Sequence, residues 1–333
     1  MGQKTIDILR RVRMDTALPV LIELFSATKE IEGRSPKTIS WYASMLKPFA
    51  AFLGETATIK DLTLGNARAF IASLRARKVR YEGHPRRKAE IGGLSPSTIH
   101  AYVRCLKVFG SWLFDEDFLA ANPFARLKRP KLPQPIIEIL SNEEIKLIFA
   151  GINPNTYLGA RLYIIAMLLL DTGIRASELC SLTLQNTHVR EGYIKVMGKG
   201  SKERHVPIGT SVKKALVRYI NAWRPEPGEE TIDELILSVD GFPLTYDGLA
   251  QIIKRLGRRV GVPRLHAHLF RHTFAVCYLM NGGDVMTLRL MLGHSTLDVT
   301  LVYMHLAESH VQMQHSKFSP VDRLGIARKR RTR

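Results

Sequence analysis

Two stretches of the N-terminal half share one hydrophobic pattern behind the same polar opening. SPKTISWYASMLKPFAAFL begins at Ser35 and SPSTIHAYVRCLKVFGSWL at Ser95. Ser, Pro, Thr, Ile, Tyr, Leu and Phe recur at the same offsets, and Phe52 is matched by Trp112. A capping serine, a proline at the first helical position and apolar residues at helical spacing predict a helix from each stretch. One such pair is not a solenoid; it predicts two similarly started helices in a small bundle.

Farther along, Ser141 with Glu144 forms a capping box, which opens a helical pattern running to about Leu170. Asp171-Thr172-Gly173 reads as a turn, with a new helix starting near Arg175. YIKVM (193–197) and RHVPI (204–208), joined through GKGSKE, read as a β-hairpin, and ELILS (234–238) as a further strand. From Tyr246 a helix returns, with Leu249, Ile252, Ile253, Leu256 and Val260 on one face and Lys254, Arg255, Arg258 and Arg259 on the other. The last stretch is ambivalent. Leu297, Val299, Leu301 and Tyr303 alternate as in a half-buried strand, whereas Ser295 with Asp298 resembles a helix start. A tyrosine in such a run is most often a core residue. Together the patterns predict a mainly α protein with a small antiparallel β-sheet.

Composition adds a partner. The 333 residues leave room for two domains, each with its own core. A net charge of +19 and a pI near 10.0 call for a polyanion, nucleic acid ahead of an anionic membrane. The membrane option lacks an anchor: the longest apolar run, Leu162 to Leu170, falls short of the roughly 20 residues a span needs. No secretory signal is visible in MGQKTIDILRRVRMD, and Ile6 breaks the myristoylation pattern. Cys105, Cys180 and Cys277 are too few and too scattered for a disulfide framework or a paired-cysteine zinc site. The expected compartment is the cytoplasm.

The charge is uneven along the chain. Residues 1–135 hold 23 Lys/Arg against 12 Asp/Glu, a net of 23 − 12 = +11, and residues 136–333 hold 26 against 18, or +8. RLKRPKLPQP (126–135) joins basic residues to prolines and reads as an interdomain linker. RARKVRYEGHPRRK (75–88) carries seven Lys/Arg and one Glu. A charge run is commonly a solvated loop, but in so basic a domain Arg77, Lys78, Arg80, Arg86, Arg87 and Lys88 are expected to track phosphates, as are Lys254, Arg255, Arg258 and Arg259.

Three further islands could carry chemistry: TGIRASEL (172–179), GKGSKER (198–204) and HLFRHTFA (268–275). Arg175 sits at a helix start, a poor place for a cation unless an anion binds there, with Glu178 at i+3 to orient it. Taken alone, this is a surface ion pair worth almost nothing. GKGSKER fails the P-loop pattern, yet Lys199 on a glycine turn could reach a phosphodiester. His268 and His272 lie one helical turn apart, as zinc ligands do, but Arg271 between them and the lack of HExxH argue against a metal. His268 with Arg271 instead offers an imidazole and a guanidinium to a phosphate. His294 follows in LGHS, and Tyr303 nine residues later.

In chain order the candidates are Arg175, Lys199, His268, Arg271, His294 and Tyr303. With the motifs TGIRASEL, GKGSKER, HLFRHTFA, LGHS and VYMH, they make the sequence resemble the tyrosine recombinases, or phage integrase family, near the Xer-type recombinases. The resemblance covers about 138–306 and extends more weakly to the N-terminal half. It implies a helical, SAM-like core-binding domain over 1–125, a linker over 126–137, a mixed α/β catalytic domain over 138–310, and a C-terminal segment over 311–333. It also implies site-specific breakage and rejoining of double-stranded DNA through a 3′-phosphotyrosyl link, without metal or nucleotide cofactor. That chemistry serves integration, excision or resolution of DNA elements.

By the same resemblance Tyr303 is the nucleophile, and Arg175 and Arg271 clamp the phosphate. Lys199 is the general acid, His268 the proton acceptor or hydrogen-bond partner of the phenol, His294 a phosphate ligand, and Glu178 an orienting residue. Family members cleave as tetramers on two DNA sites, with themselves or with a related recombinase; residues 307–327 are the candidate intersubunit segment. The resemblance favours a short helix around Tyr303 over the strand. Rival readings are a non-catalytic DNA-binding protein of the same fold, a type IB topoisomerase-like relaxing activity, and a metal-dependent nuclease. The first leaves six matching chemical positions unexplained, and the last lacks clustered carboxylates.

Overall fold

The computed structural model describes residues 12–80, 89–132, 137–198, 202–293, 315 and 319–323. The chain divides into two compact units, Met1–Pro135 and Ile136–Arg333. The first unit contains helices α1 (Leu18–Ile31), α2 (Pro36–Leu53), α3 (Leu64–Ala76) and α4 (Pro96–Asp115). Both echoed openings start helices as expected. Ser35 Oγ accepts from the Thr38 N–H at 3.4 Å and Ser95 Oγ from the Thr98 N–H at 3.2 Å.

A cluster of aromatic rings lies within the otherwise largely aliphatic core of this unit. Phe25 meets Tyr42, Phe109 and Trp112 edge-on, each at 5.3 Å between centroids. Edge-on pairs of this kind contribute about 0.5–1.5 kcal/mol each beyond their burial. The echo breaks at its last position, where Trp112 is 3% exposed and Phe52 43%. Trp112 lies between Phe25, Phe109 and Phe118, whereas Phe52 covers Phe70 from outside.

The first residues of the expected linker pack with the first unit. Leu127 is buried in the first unit's core, and Lys107 Nζ donates to the carbonyls of Ala125 and Leu127 at 2.6 and 3.3 Å. The basic 75–88 stretch is rooted in a short hairpin, β1 (Val79–Arg80) antiparallel to β2 (Glu90–Ile91), in which Arg80 stands opposite Glu90. Arg77 and Lys78 are exposed at its base. Arg86, Arg87 and Lys88 lie outside the described residues.

In the second unit the capping box forms: the Glu144 N–H donates to Ser141 Oγ at 3.2 Å and the Ser141 N–H to Glu144 Oε2 at 2.9 Å. The single helical pattern expected up to Leu170 is two helices, α5 (Asn142–Ala150) and α6 (Tyr157–Thr172). Apolar spacing bridges the break, but Gly151 ends α5, Pro154 follows, and Thr156 starts a new helix by accepting the Gly159 N–H. The short α7 (Ala176–Cys180) comes next, then a sheet of order β3-β4-β5 built from Thr187–His188, Tyr193–Met197 and Glu203–Pro207.

The predicted hairpin holds, with Tyr193 opposite Pro207 and Met197 opposite Glu203. ELILS is not a strand: Glu234 and Leu237 make single bridges to Thr183 and Pro243, and the fully buried Leu235, Ile236 and Leu237 do not alternate. The helices α8 (Thr210–Ala222), α9 (Tyr246–Arg259), α10 (Ala267–Met280) and α11 (Val285–Leu292) follow, and a last short helix spans Pro320–Arg323. Leu249, Ile253 and Leu256 of α9 are buried, while Lys254, Arg255, Arg258 and Arg259 are exposed. Arg259 Nη2 donates to the Gly151 carbonyl at 2.7 Å, so it also braces the end of α5. The buried helix α6 packs against both α8 and α10. Among the described residues no helix is long and apolar enough to cross a membrane.

Candidate active site

An α-helix leaves its last carbonyls without intrahelical donors and concentrates partial negative charge there. At the end of α11 three successive carbonyls each take a different arginine. Arg204 Nε donates to Met291 O at 2.8 Å, Arg271 Nη2 to Leu292 O at 2.8 Å, and Arg175 Nη2 to Gly293 O at 3.3 Å. The three come from β5, from the interior of α10 and from the N-cap of α7, so one helix end gathers residues from distant parts of the unit.

Arg271 is 1% exposed. Its Nη1 donates to the Gly173 carbonyl at 2.6 Å, so the guanidinium joins the ends of α6 and α11. The partial negative charge of two helix ends offsets part of the cost of burying a cation. Gly173 must be glycine on two counts. Its φ of +61° is left-handed, and an added Cβ would lie 2.4 Å from Phe274 Cδ1 and 2.9 Å from Leu292 Cδ2. Gly173→Ala is therefore expected to cost about 1–2 kcal/mol for the backbone and a further 1–3 kcal/mol for overpacking. Urea denaturation checks this; an unchanged midpoint would remove the strain.

The Arg175–Glu178 pair is no surface ion pair. Glu178 is 3% exposed, and its Oε1 accepts from Arg175 Nη1 at 2.7 Å and from Arg204 Nη1 at 2.9 Å. Its Oε2 accepts from Arg204 Nη2 and the Arg175 N–H, both at 2.8 Å. Burial alone would raise the Glu178 carboxyl. The Arg204 hydrogen bonds, the Arg175 N–H and the adjoining positive charge outweigh it and hold the group at about 2. The carboxylate stays ionised and fixes the guanidinium of Arg175, whose side chain remains one-third exposed.

His268 and Arg271 do not share an accessible face as the i+3 spacing suggests. His268 reaches the surface, while Arg271 turns inward. The His268 pKa is lowered, first by its packing and then by the charges of Arg271, His266 and Arg175. Its ring meets His272 edge-on at 4.6 Å between centroids, and His272 is lowered further, to about 4, with burial again the largest cause. Both imidazoles are thereby held neutral near pH 7. Among the described residues no group of three His, Cys, Asp or Glu side chains could hold a metal ion. Lys199, His294 and Tyr303 lie outside the described residues, as do the basic tail and most of the 307–327 segment, of which only His315 and 319–323 are described. Gly198 and Lys202, which flank Lys199 in the sequence, are joined by a Gly198 N–H to Lys202 O bond of 2.8 Å, and α11 ends just before His294.

Arg204 is the residue that the motif reading passed over, although it ends GKGSKER. The signal was in the strand alternation. Arg204, Val206 and Ile208 share the inward face of β5 and its continuation, so an arginine occupies a position where an apolar residue is expected.

Residues 138–310 match the phage integrase family, a span that encloses the whole arginine cluster. The chain is 31% identical over 310 residues to the tyrosine recombinase XerC of Oceanobacillus iheyensis, covering 91% of this chain and 97% of that protein. It is 32% identical over 230 residues to a tyrosine recombinase XerD of Staphylococcus aureus, covering 68% of this chain and 78% of that protein. Its fold is similar to that of the XerH site-specific recombinase bound to palindromic difH substrate, with a TM-score of 0.68 at 20% identity, over 86% of this chain and 82% of that one. The Tn1549 transposon integrase in complex with transposon right end DNA gives a TM-score of 0.69 at 19% identity, over 90% and 99% of the two chains. The order of motifs, the mostly helical fold with its small antiparallel sheet, and the length of the match to XerC agree: the chain belongs to the phage integrase family, as an Xer-like tyrosine recombinase.

Proposed function

We propose that this protein is a site-specific DNA recombinase that cuts and rejoins strands through a covalent 3′-phosphotyrosyl intermediate on Tyr303. The observation that carries the reading is the convergence of Arg175, Arg204 and Arg271 on the end of α11, the helix that runs into the segment bearing His294 and Tyr303. A phenol is a weak nucleophile near pH 7, because its pKa is about 10. Attack on a phosphodiester therefore needs the developing charge on the non-bridging oxygens to be met by fixed cations. Arg175, held by Glu178 and partly open to solvent, fits that task, since a guanidinium matches phosphate geometry and stays charged; Arg271, buried and fixed by two helix ends, is the proposed second cation.

In this reading the Tyr303 oxygen forms a bond to phosphorus as the bond to the 5′ oxygen breaks. His268, kept neutral, takes or shares the phenolic proton; Lys199 gives a proton to the leaving 5′ oxygen; His294 holds the phosphate. The reverse transfer, to a 5′ hydroxyl of a second site, reseals the strand. The energy of the phosphodiester is kept in the protein–DNA bond, so no metal or nucleotide is consumed. The partner is double-stranded DNA, and the reaction runs in a tetramer on two sites. Exposed Lys254, Arg255 and Arg258 on α9, with Arg77 and Lys78 in the first unit, are the proposed phosphate contacts.

The test begins by selecting a binding duplex from a random-sequence library with the purified protein. A nicked version of that duplex is then offered in EDTA. A covalent adduct on denaturing gels is the expected result. Cleavage abolished by EDTA and restored by a divalent metal would favour a nuclease instead.

A further inference from the structure

We infer that Arg204 is a positioning residue of this site, holding Glu178 against Arg175 and tying both to the last turn of α11. The geometry is that of a hub. Both oxygens of the buried Glu178 carboxylate receive one nitrogen each of the Arg204 guanidinium, at 2.9 and 2.8 Å, a parallel fork. The third nitrogen, Nε, donates to the Met291 carbonyl at 2.8 Å. All three nitrogens of the group are thus engaged, and the side chain is only 13% exposed.

Stability alone is a poor reason for an arginine here. Its position on β5 faces inward beside Val206, where a well-packed apolar residue would serve as well, since burying an ion pair costs about what it returns. What the guanidinium gives that an apolar residue cannot is direction. It orients the carboxylate that orients Arg175. It also joins β5, which follows Lys199 in the sequence, to the helix that precedes His294 and Tyr303. Gly293 makes room for this. At φ +63°, a Cβ there would lie 3.0 Å from Arg204 Nη1 and 3.1 Å from its Cδ and Cζ.

This inference rests on the proposed strand-transfer reading, and its test separates the two. Arg204→Met and Arg204→Lys are compared with the unsubstituted protein in single-turnover cleavage of the nicked, selected duplex, with the DNA dissociation constant measured alongside. Both variants are expected to lose about 10²-fold in cleavage rate, the size of effect seen when one oriented donor is lost. DNA affinity is expected to stay within about threefold, and lysine fails to rescue because it has no fork. In a Glu178→Gln background, Arg204→Met is expected to add less than about threefold, because the two act in series. Wild-type cleavage by Arg204→Met, or independent multiplication of the two effects, overturns the inference.

A DNA-free readout guards against a general failure of cleavage. Followed by carbon NMR of labelled glutamate, the Glu178 carboxyl is expected to titrate higher in Arg204→Met than its present value of about 2. An unchanged titration overturns the positioning role whether or not strand transfer occurs. Absence of any adduct with the unsubstituted protein contradicts the strand-transfer reading instead.

Discussion

Replacing Tyr303 by phenylalanine is expected to abolish covalent capture of DNA and leave binding intact. The substitution removes one oxygen and keeps the ring, so packing around the side chain changes little. Every other proposed participant acts on charge or protons and lowers the barrier by degrees; the nucleophile makes the bond. In other enzymes, loss of the nucleophile alone costs on the order of 10⁶ in rate. On a nicked duplex the adduct is therefore expected to fall to background, with a dissociation constant within a few-fold of the parent's. Adduct formation by this variant would move the chemistry to another residue.

The second large effect is expected from Arg271→Lys, which keeps the charge and loses the fork. Arg271 reaches Gly173 O with one terminal nitrogen and Leu292 O with the other, from a site 1% exposed. A single ammonium cannot span the two helix ends, so one carbonyl loses its donor. An unmet buried carbonyl costs about 1–3 kcal/mol, which urea denaturation should register. Cleavage is expected to drop by more than about 10²-fold, because the cation then sits in the wrong place for the phosphate. A variant with parental rate and stability would show that the fork at this position is dispensable.

Much of this site was legible in the sequence because its parts lie in short, ordered islands. Motif order singles out Arg175, Glu178, His268 and Arg271, and the structure joins three of the four, Arg175, Glu178 and Arg271, in one hydrogen-bonded cluster at α11. His268 stands at its edge, neutral and exposed. Local capping chemistry was equally readable. Ser35, Ser95 and Ser141 each cap the helix they precede, because a cap depends only on residues three apart.

Tertiary context was not readable in the same way. The Arg175–Glu178 pair looked trivial because its value comes from Arg204, 26 residues beyond Glu178. Arg271 looked accessible because i+3 spacing gives a helix face but not which neighbours cover it. Apolar periodicity crosses the Asn153-Pro154 break without interruption, so the sequence suggests one helix from Ser141 where the structure has two. ELILS resembled a strand because β-type residues also fill fully buried, non-alternating segments.

The central claim is a bond between Tyr303 and DNA phosphorus, and peptide mapping of the adduct tests it most directly. After nuclease trimming, trypsin should release residues 290–317 as one peptide, bounded by Arg289 and Lys317, in which Tyr303 is the only tyrosine. Fragmentation is expected to place a phosphate-linked nucleotide remnant on Tyr303. A remnant on any other residue of the captured protein would contradict the claim.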